Sequence, residues 1–369
     1  MKRIRITPRS DYKSLIENAG FGFHHDYWNE DAYYEFSAGE ISEIEEATRA
    51  CYEMFCEAAQ HVIDNALFSR LHIPEFMVPA LIRSWEEDDL SLYGRFDFVL
   101  VDGTPKLLEF NADTPTSLFE ASVIQWDWKE QCLPHLDQFN SIHEALIASW
   151  KDIHAAYRYD RYDFGCITDN LEDYTTTSYI CATAQEAGLA TSLMDMQEIS
   201  HCNESFYTPS YEPVNCLFKL YPWEWLVHEE FGPEIPKAEM YWIEPAWKML
   251  MSNKEMLVIL SELFPQSPYI LEATGEKPRW DHCAKPIFSR EGANVTLVRN
   301  SRIIEQTQGE YGSEGYIYQR LVDIPCFDGY YPVIGSWVIG GFPHGIGIRE
   351  TKSRITDNLS RFVPHVFIP

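Results

Sequence analysis

No two of the nine cysteines form a Cys-x-x-Cys pair, and their number is odd, which argues against both a disulfide framework and a zinc site. Reduced thiols fit best. Positive charge is also scarce. With 29 Lys and Arg against 57 Asp and Glu, the formal net charge is −28, a field that repels nucleic acid and anionic lipid and draws in cations such as a polyamine. No apolar run approaches the roughly 18 residues of a membrane span. The basic N-terminus, MKRIRITPRSDYKS, lacks the apolar core of an export signal, so a cytoplasmic protein is expected. Ser/Pro-rich linkers, low-complexity tracts and a repeat period are missing too. The 369 residues are therefore expected to form one unit of interlocked subdomains, divided near 1–160, 161–250 and 251–369.

What the chain does have is apolar and aromatic material. Hydrophobic residues make up 45%, with 11 Trp, 21 Tyr and 21 Phe, enough for a large core and a walled pocket. Residues 39 to 68 place Ile44, Ala47, Cys51, Met54, Ala58 and Val62 at helical spacing, with glutamates on the other side. A second helix is expected from about Thr116 to Cys132, capped by Asp113 or Thr114 with Pro115 in its first turn. From Tyr162 to Ile199 the pattern reads strand, helix, strand, the signature of an α/β layer on a parallel sheet. Ser252 and Glu255 have the spacing of a capping box ahead of another helix.

The stretch YGRFDFVLVDGTPKLLEFNAD, residues 93 to 113, carries polar residues in two otherwise apolar strands. Side chains alternate along a strand, so Arg95 and Asp97 share one face. Leu107, Glu109 and Asn111 are expected to share a face of the return strand. A three-residue turn at Asp102, Gly103 and Thr104 would set Asp97 opposite Glu109 and Arg95 opposite Asn111. Two carboxylates facing each other repel unless a cation lies between them. Asp, Glu and a neutral Asn oxygen are the sparse oxygen ligands that Mg²⁺ prefers, and a forked Arg95 could take a phosphate oxygen bound to the same ion. The alternative is the surface face of a hairpin with a single Arg/Asp pair.

Further candidates are weaker one by one. Lys254 begins a helix, where the dipole disfavours a cation by a few tenths of a kcal/mol (~0.3 or more), and Lys285 precedes Pro286 beside the loop SREGAN with Gly292. Such a loop can cover phosphates through backbone N–H groups, although the GK[ST] ending of a P-loop is absent. Solvated lysines are the plain alternative. Gln319 lies in a strand, and Arg349 and Arg354 follow a glycine-rich hairpin. His24 and His25 could suggest a metal site, but a packed N-terminal segment fits better. Glu172 and Asp173 fall in a loop just after a strand, where α/β sheets often bind ligands.

Taken together and in order, GRFDF…LLEFNADTPTSL, IEPAWK…NKEMLVILSELFP, KPIFSREGANV, IYQRLVDIP and GGFPHGIGIRE resemble the synthetase domain of glutathionylspermidine synthetase and its stand-alone acid–amine ligase relatives, from about residue 20 onward. The resemblance implies an α+β chain with α/β layers in an ATP-grasp fold, and an ATP-dependent ligase that joins a carboxylate to an amine. It implies that Arg95 and Asp97 contact ATP, with Asp97, Glu109 and Asn111 holding Mg²⁺ and Arg95 stabilising the transition state. By position, Lys254, Lys285, Gly292, Gln319 and Arg354 would also bind ATP. Thr114 and Thr116 would touch a peptide-like acid, Arg349 would hold that acid, and Glu172 or Asp173 the amine. The chain is expected to depart from the bifunctional members in lacking the amidase segment with its Cys/His nucleophile. Thr114-Pro115-Thr116 stands in place of a serine-rich version, and FSREG in place of a more glycine-rich loop. The partners expected are thus small-molecule acid and amine substrates, with no nucleic acid and no membrane. Two other readings are a nucleotide- and polyamine-binding protein without turnover, and a Mg²⁺-dependent hydrolase, which would need the acids but not the lysines.

Overall fold

A computed structural model describes residues 1–22, 27–357 and 360–369; the histidine pair His24-His25 lies outside them. The first long element is the helix Ala38–Asp64. It starts where Ser37 and Glu40 form a reciprocal capping box and ends ahead of Ala66, whose φ of 51° leaves the right-handed helical region. Its buried stripe runs through Ile44, Ala47, Cys51, Phe55, Ala58 and Val62, with Phe55 taking the place expected of Met54. Phe55 packs edge-on against Phe96 and Phe110, with ring centroids 5.5 and 5.0 Å away.

Those two phenylalanines belong to the central five-stranded antiparallel sheet, in the order Arg361–Val363, Phe342–Thr351, Tyr331–Ile339, Tyr93–Val101, Thr104–Asn111. The sheet joins early and late strands, so the stretch 251–369 does not close on itself as a separate piece. The hairpin differs from expectation in an instructive way. Val101 pairs with Thr104 across a two-residue turn, Asp102 and Gly103, both at positive φ as a type I′ turn requires. That alone would put Asp97 out of step with Glu109. A bulge next to Asp97 and Phe98 adds the missing residue and restores the pairs Asp97 with Glu109 and Arg95 with Asn111. The bulge also moves Leu107 to the face of Phe98, into the core, instead of the face of Glu109.

A four-stranded parallel sheet follows, ordered Tyr241–Ile243, Cys216–Lys219, Tyr162–Cys166, Thr191–Asp195. Its helix, Leu171–Glu186, begins earlier than the apolar pattern suggested, because Asn170 accepts from the N–H groups of Glu172 and Asp173. Both acids therefore sit in a first helical turn, not in a loop, where the helix dipole favours carboxylates. The expected helix from Thr116 also changes. Thr114, Pro115 and Thr116 are non-helical, Ser117 has φ 68°, and the helical stretch starts at Leu118 and passes through a π-helical turn, Glu120–Ile124, before Gln125–Cys132.

The third sheet is antiparallel, ordered Ala273–Thr274, Tyr316–Arg320, His282–Pro286, Thr296–Arg299, Arg302–Gln306. The helix Glu255–Leu263 precedes it. Asn253, not Ser252, supplies its cap, accepting from Glu255 N–H at 2.8 Å. Among the described residues no helix is long and apolar enough to cross a membrane.

Candidate active site

A cavity of about 620 Å³ opens between the central sheet, the third sheet and the first turn of the helix Leu171–Glu186. All fourteen residues that the resemblance implies for the site lie on its wall. Arg95, Asp97, Glu109 and Asn111 come from the hairpin, and Thr114 and Thr116 from the chain that leaves it. Lys254, Lys285, Gly292, Gln319 and Arg354 face them, and Glu172, Asp173 and Arg349 complete the lining.

Arg95 and Asp97, two residues apart on one strand face, form a bidentate pair with N–O distances of 2.7 and 3.0 Å. Both are buried, and Arg95 also donates to the carbonyl of Thr116 at 2.7 Å. The neighbouring strand yields room for the guanidinium by carrying glycine: a Cβ at Gly335 would stand 2.8 Å from Arg95 Cδ. Across the ladder, the Glu109 carboxylate lies 3.3 Å from Lys254 Nζ. Burial raises the Glu109 carboxyl, but Lys254, Lys285 and Arg95 outweigh it and hold the group down at about 2. Glu109 is thus an anion at any physiological pH.

Thr104–Asn111 is also the edge strand of its sheet, so carbonyls on its outer side have no strand partner there. Lys285 Nζ takes the carbonyl of Leu108 at 2.8 Å and the Gln319 side-chain oxygen at 2.8 Å, while Gln319 donates to the carbonyl of Leu107 at 3.0 Å. Lys285 and Gln319 are consequently part of the seam between the two sheets as well as of the cavity wall. Asn111 Nδ2 is buried with no hydrogen-bond partner. An unpaired amide beside two carboxylates suits a ligand there, because a buried polar group is rarely left alone. Among the described residues no group of three or more His, Cys, Asp or Glu could cage a metal. The donors that are present, the Asp97 and Glu109 carboxylates with the Asn111 amide, are of the sparse oxygen type that suits Mg²⁺ completed by water and phosphate oxygens.

The loop after Lys285 closes one side. Lys254 donates to the carbonyl of Ser289, and Gly292, at φ 67°, lies so near the next segment that a Cβ would meet the Thr356 carbonyl at 2.3 Å. Arg290, which the sequence reading passed over, bridges Thr114 Oγ1 and Glu224, the latter at 2.9 Å, and lies 5.7 Å from the ring centre of Trp225. Its only sequence signal was its place beside Gly292. Arg354 is exposed at the rim, 5.0 Å from the Tyr331 ring centre and 3.8 Å from Glu305.

At the other end, burial and the charge of Glu172 push the Asp173 carboxyl up to about 6, against a partial pull from Arg290. The Arg349 side chain lines the same cavity and makes no hydrogen bond or ion pair among the described residues. A cavity with cations and a sparse acid set on one side, and carboxylates beside a free guanidinium on the other, can hold a polyphosphate, an acid and an ammonium group together.

A protein of Haemophilus influenzae that carries the provisional name acid–amine ligase is 38% identical over 395 residues, covering all of both chains. Trypanothione synthetase of Crithidia fasciculata is 29% identical over 83% of this chain, and the bifunctional glutathionylspermidine synthetase/amidase of Escherichia coli 25% over 97%. The chain spans 52% and 63% of those two longer proteins. The sequence profile of the family described as glutathionylspermidine synthase preATP-grasp matches residues 3–368, and the chain belongs to that family.

Proposed function

We propose that the protein is an ATP- and Mg²⁺-dependent ligase of the ATP-grasp type, joining the carboxylate of a peptide-like or glutathione-like acid to a polyamine-like amine through an acyl phosphate. The observation that carries the reading is the gathering of Asp97, Glu109 and Asn111, of Lys254 and Lys285, and of Arg349, Glu172 and Asp173 on the wall of a single cavity. Asp97, Glu109 and Asn111 would hold Mg²⁺, which supplies charge neutralisation on the transferring phosphoryl group. Arg95 stabilises negative charge as it develops, a role that a fixed, buried guanidinium performs without reorganising. Lys254, Lys285, Gly292 and Gln319 position the nucleotide, with Arg354 at the rim. Thr114 and Thr116 orient the acid, whose charge Arg349 pairs. Glu172 and Asp173 bind the ammonium, and the overall charge of −28 favours its approach.

Incubating the protein with Mg-ATP and a metabolite extract should give, by mass spectrometry, a condensation product that depends on ATP. ATP consumed without any such product would support the hydrolase instead. The acid end carries its own pH signature. Asp173 binds a cation as a carboxylate, and it gains its proton as pH falls through about 6, so amine-dependent kcat/KM should fall on that side. In Asp173→Asn the acid limb should flatten, with kcat/KM lower by about tenfold, the value of one charge-assisted contact of ~1.4 kcal/mol. An unaltered limb would remove Asp173 from amine binding.

A further inference from the structure

One carboxyl group beside the amine end has no part in this scheme. Glu120 is 1% exposed and opens the π-helical turn Glu120–Ile124. Such turns are rare and concentrate at functional sites. Its Oε1 is buried without a hydrogen-bond partner, which is costly for a group with only structural duties. The charged and titratable groups that act on it are Glu172 from the helix Leu171–Glu186, Tyr27 from the N-terminal segment and Arg349 from the strand Phe342–Thr351. All three line the cavity, whereas Glu120 does not. Whatever Glu120 does is therefore done through them. The Tyr27 hydroxyl also shares a 2.6 Å hydrogen bond with Ser117 Oγ.

An alkylammonium must lose a proton before its nitrogen can attack. An ordinary carboxylate is a poor acceptor at neutral pH, because proton transfer is most effective to a group that titrates near the working pH. Burial and the charge of Glu172 push the Glu120 carboxyl up to about 8, against Arg349 and Tyr27.

Resting on the ligase reading above, we infer that Glu120 is a positioning residue for the amine step: it receives, by way of Glu172 or Tyr27, the proton that the attacking ammonium sheds. An N–H bond breaks and leaves its electron pair on nitrogen, while the Glu120 carboxylate becomes a carboxylic acid. The neutral nitrogen then forms the C–N bond as the bond from carbonyl carbon to phosphoryl oxygen breaks. Phosphate leaves with that electron pair and takes the second amine proton.

The test compares wild type with the near-isosteric Glu120→Gln, using Mg-ATP, glutathione as the acid and either spermidine or hydroxylamine as the nucleophile. Hydroxylamine is uncharged at neutral pH and has no proton to lose before attack. In the variant the spermidine rate should fall about tenfold or more and lose its rise with pH near 8, while hydroxamate formation stays within about twofold of wild type. An equal fall with both nucleophiles would mean a structural role, and an intact spermidine rate or an intact rise would mean no role; either overturns the inference. No hydroxamate from the wild type would exclude glutathione as the acid, and the thermal readout that follows then decides the inference by itself. A second readout needs no turnover. The folded carboxyl is raised from 4.5 to about 8, so the native state binds more protons than the unfolded one in that window and wild-type stability falls as pH rises through it. Glu120→Gln should lack this slope in its thermal midpoint; an unchanged slope would contradict the burial on which the inference stands.

Discussion

Arg95→Ala is expected to lower ligation by about 10²-fold or more, the usual loss when one preorganised donor to a developing charge is removed. A stability loss should accompany it. Asp97 is buried and receives both of its short contacts, 2.7 and 3.0 Å, from the Arg95 guanidinium. Removing one partner of a buried pair strands the other charge, at about 3–5 kcal/mol. The two effects separate with two further variants. Arg95→Lys keeps a charge but not the fork that serves Asp97 and the Thr116 carbonyl together, so it should recover part of the stability and little of the rate. Arg95→Met with Asp97→Asn should recover stability and no rate. ADP release and the thermal midpoint, measured on the same preparations, report the pair. Wild-type turnover in Arg95→Ala would remove Arg95 from the chemistry.

A stability effect of similar size is expected in Lys219→Met, at a place that the sequence did not flag as a site. Lys219 Nζ lies 2.6 Å from Asp113, their side chains 0% and 2% exposed. Asp113 also accepts from the Trp223 N–H at 2.7 Å. The pair thus fastens the chain that leaves Asn111 to the end of the parallel sheet. Loss of the ammonium leaves a buried carboxylate with one remaining donor, and unfolding in urea should show a decrease of about 3–5 kcal/mol. Lys219→Met with Asp113→Asn should regain much of it, because a neutral amide can keep the Trp223 bond. Since Asn111 and Thr114 flank Asp113, the single variant should also bind Mg-ATP less tightly. A Lys219→Met protein as stable as wild type would mean that this fastening is unnecessary.

The residues whose chemistry is unusual for their surroundings were legible in the sequence. Arg95, Asp97, Glu109 and Asn111 interrupt apolar strands, and alternation alone puts Arg95 and Asp97 together. Their partners across the ladder were reached by an incorrect route. The Asp102-Gly103 turn is one residue shorter than expected and the bulge supplies the compensation, and a bulge leaves no mark in an apolar run such as Leu107-Leu108. Asp113 misled in the opposite sense. It has the form of a helix cap, yet Lys219, distant in sequence, claims it, and the helix begins later, at Leu118. Glu172 and Asp173 look like loop acids in the sequence because the cap at Asn170 precedes any apolar periodicity. The Asn170 cap is a local contact, but Asp113 is decided by long-range pairing, about which local pattern carries no information. Arg290 and Glu120 were missed for the same reason, since each acquires its meaning only from residues far along the chain: Thr114 and Glu224 for one, Tyr27, Glu172 and Arg349 for the other.

The account stands on a nucleotide gripped between the hairpin acids and the lysines of the facing elements. Calorimetric titration of the protein with ATP, with and without Mg²⁺, tests that grip without requiring either unknown substrate. The account predicts saturable binding that needs Mg²⁺ and that weakens in Glu109→Gln and in Lys285→Met. A wild-type protein with no heat of Mg-ATP binding, or one whose affinity is the same in both variants, would contradict it.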